Sequence, residues 1–143
     1  MKVKTFFNWL IVAVLCLAIK GCEKNDNDYK EQQSIIGCWS YPARANNESG
    51  KEILFYEKTD TLPADADGIN FLSDGTLIER KNAGWCATPP IAYANFSGNW
   101  YIQNDNIVVI DVAYWGGMEH RIWKILSVTN DVLKIEVISQ EMD

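Results

Sequence analysis

A chain of 143 residues, 48% of them hydrophobic, suits one folded domain and is too rich in apolar side chains for a disordered polymer. Its 13 basic residues stand against 19 acidic ones, a net charge of −6. That balance argues against a phosphate-neutralising surface for nucleic acid and against a polybasic contact with anionic lipid.

At the amino terminus, Lys2 and Lys4 precede an apolar run from Phe6 to Ile19, broken only by Asn8. The run is short for a bilayer span and reads as an export signal over residues 1–21. It stops at Ile19-Lys20-Gly21-Cys22, which resembles the lipobox of bacterial lipoproteins, with Lys20 departing from the pattern. Cys22 is the expected lipid attachment site, and a lipid chain is the expected membrane contact. Cleavage there would remove Lys2, Lys4 and Lys20, leaving 10 basic residues against 19 acidic ones and a net charge of −9. Residues 22–34 begin Glu23-Lys24-Asn25-Asp26-Asn27-Asp28, with nothing apolar before Tyr29, and read as a flexible acidic tether. An acidic stretch beside a lipidated cysteine also resembles the signals that carry lipoproteins of Bacteroidota to the cell surface. The expected address is the cell envelope, anchored in the outer membrane.

With Cys16 lost in the signal and Cys22 carrying lipid, Cys38 and Cys86 remain as a pair in an oxidising compartment, where a disulfide is expected. Closing that loop would contribute roughly 4 kcal/mol on the chain-entropy account. A zinc site lacks ligands, because His120 is the only histidine and no Cys-x-x-Cys occurs.

From Ile36 onward, short segments of alternating polarity lie between turn residues, without a sustained helical period. Eight strands are expected, at 36–41, 51–58, 68–72, 76–81, 97–103, 106–114, 119–127 and 132–139. Asp74-Gly75, Asn104-Asp105, Gly116-Gly117 and Asn130-Asp131 mark tight turns, where Gly and Asn accept positive φ. The fold class is therefore all-β. Residues 35–143 are expected to form an eight-stranded up-and-down meander barrel, whose closure removes exposed edges. Residues 42–50 read as a polar connection, and residues 83–95 as the longest loop, carrying Pro89 and Pro90.

Ile36-Gly37-x-Trp39, Phe71-x-x-Asp74-Gly75-Thr76, Gly98-x-Trp100-x-Ile102 and Leu133-x-Ile135-x-Val137 occur in that order, and together they resemble the lipocalin-like lipoproteins of Bacteroidota. The resemblance covers about 100 residues from Ile36 onward. It implies a barrel able to hold a small apolar ligand, with Trp39 packed under the barrel floor. The block Gly84-Trp85-Cys86-Ala87-Thr88-Pro89-Pro90 is not general to lipocalins and suggests a narrower subfamily.

The exported domain keeps five tryptophans, Trp39, Trp85, Trp100, Trp115 and Trp123. A barrel of eight strands can be plugged by such side chains or can line one ligand with them. The candidate lining is Trp39, Tyr41, Trp100, Trp115 and Trp123, with Tyr114 and Trp115 alternatively at the mouth. The second reading is a filled barrel that contacts a protein partner through Trp85, Pro89 and Pro90. Asp111 is expected to pair with Arg121, and His120 to be exposed. No Ser-His-Asp ordering, free nucleophilic cysteine or metal cluster is apparent, so neither enzymatic activity nor a cofactor is expected. Asp65-Ala66-Asp67-Gly68 lacks the ligand pattern of a calcium loop and reads as an acidic surface loop. Asp60-Thr61-Leu62 is similar to the O-glycosylation motif of Bacteroidota.

Overall fold

The computed structural model describes residues 35–84, 91–104 and 106–143, without the side chains of Tyr41 and Pro42. The signal, the tether, Trp85, Cys86, Pro89 and Pro90 lie outside the described residues. Eight strands form the domain: β1 (Gly37–Asn46), β2 (Glu52–Thr59), β3 (Gly68–Phe71), β4 (Thr76–Asn82), β5 (Tyr93–Gln103), β6 (Ile107–Tyr114), β7 (Gly117–Val128) and β8 (Val132–Met142).

The sheet closes in the order β1-β2-β8-β7-β6-β5-β4-β3, with every neighbouring pair antiparallel, so strand direction alternates all the way round. This is the expected closed, eight-stranded, up-and-down barrel. Strands β3 to β8 follow one another as a meander. At the start of the domain β1 lies between β2 and β3, and the segment 60–67 crosses over it. That crossing segment is pinned by Arg80, whose guanidinium donates to the Ala64 carbonyl at 2.7 and 3.1 Å.

Three strands run further than their sequence pattern suggests. β1 continues through Ala43-Arg44-Ala45-Asn46, β5 begins at Tyr93 inside the expected long loop, and β8 reaches Met142. These extensions lack apolar alternation and are held by backbone pairing to β2, β4 and β7. β1 also changes register between Ser40 and Ala43, which breaks the period-two pattern across Pro42. Gly75 has φ of 86° and Asn104 φ of 41°, the positive values anticipated at those two turns. Gly98 answers to a close approach instead: a Cβ there would lie 2.2 Å from the Asp111 carbonyl oxygen and 2.7 Å from the Val112 Cα on β6.

The two ends of the barrel differ in chemistry. At the floor, where β1 begins, Ile35, Trp39, Phe71, Leu77 and Trp100 are essentially without solvent exposure. The Trp39 indole donates to the Ile35 carbonyl at 2.8 Å, and the Trp100 indole to the Leu72 carbonyl at 3.0 Å. Both polar edges of these large side chains are thereby satisfied where water is excluded. Phe71 meets Trp100 edge to face at 5.2 Å between ring centres. Ile110, Val108, Trp123, Ile125, Leu133 and Ile135 continue this core along the barrel. At the other end, where β1 stops and β2 starts, the inward positions become charged.

Candidate functional site

Alternation along β4 carries Leu77, Glu79 and Lys81 to one side, and along β7 it carries Glu119, Arg121, Trp123 and Ile125. Leu77 and Trp123 are core residues, so Glu79, Lys81, Glu119 and Arg121 face inward as well. Glu79, Glu119 and Arg121 are buried. Arg121 donates to both Glu79 oxygens, at 2.7 and 3.0 Å, and also to Glu119. Lys81 lies 2.7 Å from Glu79 and donates to Glu119 at 3.1 Å. Gln140, opposite Arg121 on β8, donates to the other Glu119 oxygen. Two cations and two carboxylates thus close a neutral network inside the barrel.

Burial alone would raise the Glu119 carboxyl, but the hydrogen bond and charge of Arg121, together with Lys81, outweigh it and hold the group below its ordinary value of 4.5. Arg121 is likewise disfavoured as a cation by burial and rescued by Glu79 and Glu119, which raise its proton affinity. One donor stays outside the network. The Arg121 Nε is sealed from solvent and has no hydrogen-bond partner among the described residues.

Beside this network lies a cavity of about 150 Å³. Leu54, Ile69, Tyr56 and Trp123 contribute apolar surface; Arg44, Glu52, Asp67, Glu79, Lys81, Arg121 and Gln140 contribute the polar wall. Tyr56 and Trp123 pack with their ring centres 5.8 Å apart, and the Arg121 guanidinium lies 5.7 Å from the Trp123 ring centre. Burial pushes the Tyr56 phenol far above its ordinary value, so it stays protonated. Arg44 and Glu52 form an ion pair at 2.9 Å near solvent. Asp67, immediately before β3, is exposed to solvent and makes no hydrogen bond or ion pair among the described residues. Burial, followed by repulsion from Glu79, raises its carboxyl above the usual range against the pull of Arg44 and Lys81.

The anticipated ligand residues separate. Trp39 and Trp100 are consumed by the packed floor and do not line the cavity; Trp123 does. Trp115 sits in the β6–β7 turn at the mouth, 54% exposed and edge to face with Tyr114. Tyr41 belongs to β1, but its side chain is outside the described residues. The expected Asp111–Arg121 pair is not formed. Asp111 pairs with His120 at 2.6 Å on the outside of the barrel, because those residues are direct partners between β6 and β7. Arg121 stands opposite Ile110 and so faces inward. Cys38 is partly buried and forms no disulfide among the described residues; its expected partner Cys86 lies outside them.

Glu79, Lys81 and Glu119 are not singled out by sequence, which takes Asp67 only as part of an acidic surface loop, although a signal exists for the strand residues. Leu-x-Glu-x-Lys and Glu-x-Arg-x-Trp-x-Ile continue an apolar face into charge without changing period. Among the described residues no group of three or more His, Cys, Asp or Glu is arranged to hold a metal ion. Comparison with known protein families, curated proteins and solved structures gives no match for this chain.

Replacing Arg121 by Met should destabilise the barrel by about 3–5 kcal/mol, since two buried carboxylates lose their partner; urea unfolding checks this. Because the Glu119 carboxyl is depressed in the fold, its contribution is complete above pH 4.5 and is lost as pH falls through the folded value. A Glu119→Gln variant should therefore lose stability less steeply with acid than the parent, as read from unfolding midpoints across that range.

Proposed function

We propose that this chain is a lipid-anchored envelope protein of lipocalin-like form that holds a small molecule at the charged end of its barrel. The observation that carries the reading is the cavity against Leu54, Ile69 and Trp123, bordered by the charged side chains of Glu79, Lys81 and Arg121. A buried ion network is a poor way to gain stability, because well-packed apolar side chains of similar volume do as well or better. Keeping one at the barrel mouth leaves an amphipathic space that an apolar plug would fill. A volume of about 150 Å³ accommodates a benzene-sized molecule and is smaller than the pockets of about 300 Å³ or more that take drug-sized ligands. The ligand of this reading is compact and sits at the mouth, not among Trp39 and Trp100 in the centre.

The anchor fits the same geometry. Ile35 enters at the floor, whereas the cavity and the carboxyl terminus lie at the opposite end. A tether leading from a lipidated Cys22 would hold the floor towards the bilayer and present the mouth outward. A second reading, as a protein-interaction module, draws support from the exposed Trp115, Met118 and Met142 near that mouth.

Replacing Cys22 with Ala should move the exported protein from the membrane fraction to the soluble one and abolish incorporation of labelled fatty acid; unchanged fractionation would refute the anchor. Phenol titrated into the full-length protein in detergent should produce saturable NMR shifts at Leu54, Ile69 and Trp123. Filling the site by Ile69→Trp should remove those shifts while the rest of the spectrum keeps its dispersion. Phenol shifts that persist in Ile69→Trp would contradict binding at this site.

A further inference from the structure

The rim of the mouth carries apolar area that the barrel does not use. Tyr114 pairs with Gly117 across a two-residue turn, so Trp115 stands in the tip, 54% exposed. Met118, next after Gly117 on β7, is 44% exposed, and Met142 at the end of β8 is 65% exposed. Apolar side chains left in water forgo the burial that stabilises the rest of the fold, and a group of them around one turn is the kind of patch that takes a partner.

The turn is held in place. The Tyr114 hydroxyl donates to the Asp143 carbonyl at 2.7 Å, and the Asp143 amide donates to the Met118 carbonyl at 3.1 Å. Gly117 permits this approach, because a Cβ there would lie 2.6 Å from the Asp143 carbonyl oxygen. Tyr114 in turn meets Trp115 edge to face, with ring centres 5.7 Å apart. A tryptophan braced in this way loses little freedom on contact and serves as an anchor, while the unbranched side chains of Met118 and Met142 adapt to the surface they meet.

Charge restricts what that surface is. Arg121 faces inward, so its neighbour His120 faces out, and register sets Asp111, His120 and Glu141 in one row on the outside of β6, β7 and β8. Asp143 follows two residues on, beside Met118. Asp111 is occupied by His120, whereas Glu141 and Asp143 are exposed and make no ion pair among the described residues. Over residues 107–123 and 136–143 the one basic side chain besides His120 is Arg121, which is spent inside on Glu79 and Glu119. No lysine or arginine of these segments therefore offsets the carboxylates on this face. Such a rim repels acidic protein and anionic lipid, and it attracts and orients a cation.

We infer that the mouth rim docks a cationic protein segment: an apolar side chain of the partner packs on Trp115, Met118 and Met142, and its lysines or arginines reach Glu141 and Asp143. This rests on the protein-interaction reading of the rim, is independent of the cavity beside Trp123, and adds the chemistry of the partner.

Three capped peptides of about 12 residues separate charge from shape. One sets leucine and lysine at helical spacing, the second replaces its lysines with glutamate, and the third has the lysine–leucine composition in an order without an apolar face. Each is titrated into the full-length protein in nonionic detergent, with the methionine methyl resonances of Met118 and Met142 as the readout. The amphipathic lysine peptide should give saturable shifts at both methyls and bind about tenfold or more tighter than either of the others. The pair Glu141→Gln and Asp143→Asn should remove about tenfold of that affinity, and Trp115→Ser a similar factor, with the dispersion of the amide spectrum unchanged. Equal binding of the two amphipathic peptides, or preference for the glutamate one, with Trp115→Ser still weakening it, would overturn the cationic assignment and leave the rim as an interaction surface. Equal binding of the two lysine peptides would reduce the contact to bulk attraction and overturn the proposal as well. Methyls that no peptide shifts, or shifts that Trp115→Ser leaves unaltered, would overturn both the proposal and the interaction reading.

Discussion

The buried guanidinium of Arg121 is the constraint around which the mouth is organised. A charge removed from water must be compensated on the spot, and Arg121 draws Glu79 from β4 and Glu119 from its own strand into contact. Those carboxylates in turn hold Lys81, and Gln140 completes the coordination of Glu119 from β8. β4 is thereby tied across the interior to the adjacent strands β7 and β8. The same network excludes the apolar packing that fills the floor, and so it leaves space beside Trp123.

The result is a barrel with two unlike ends. At the floor, aromatic area supplies burial and the indole N–H groups of Trp39 and Trp100 are satisfied. At the mouth, stability is held by charge compensation among Glu79, Lys81, Glu119 and Arg121, and a cavity remains beside them. Ile35 lies at the first end and the last residues of β8 at the second.

Much of this architecture is legible from local signals. Gly75 and Asn104 mark turns because positive φ is needed there, and Thr76–Asn82 or Ile107–Tyr114 read as strands from alternation and β-branched content. The run Ala43–Asn46 does not, because its strand conformation is imposed by β2 and not by its own side chains. The placement of β1 between β2 and β3 has no local signature, since any apolar strand would pair equally well on either side. At the site, Trp123 is readable as inward from its spacing to Ile125, but the pairing of Arg121 depends on which strand stands across the barrel. Asp111 is nearer in a hairpin and of suitable charge, yet it points to the opposite face of the sheet. Asp65 and Asp67 are legible as surface residues, because a loop rich in Asp and Ala has no apolar face to bury, and both are exposed.

If the ion network keeps the mouth open in place of an apolar plug, replacing it with apolar side chains should close the cavity. The crystal structure of the triple variant Glu79→Leu, Glu119→Leu, Arg121→Met tests it most directly. The account predicts an intact eight-stranded barrel in which the new side chains fill the space beside Trp123 and the cavity is gone. A triple variant that keeps a cavity of the parent's volume would contradict it.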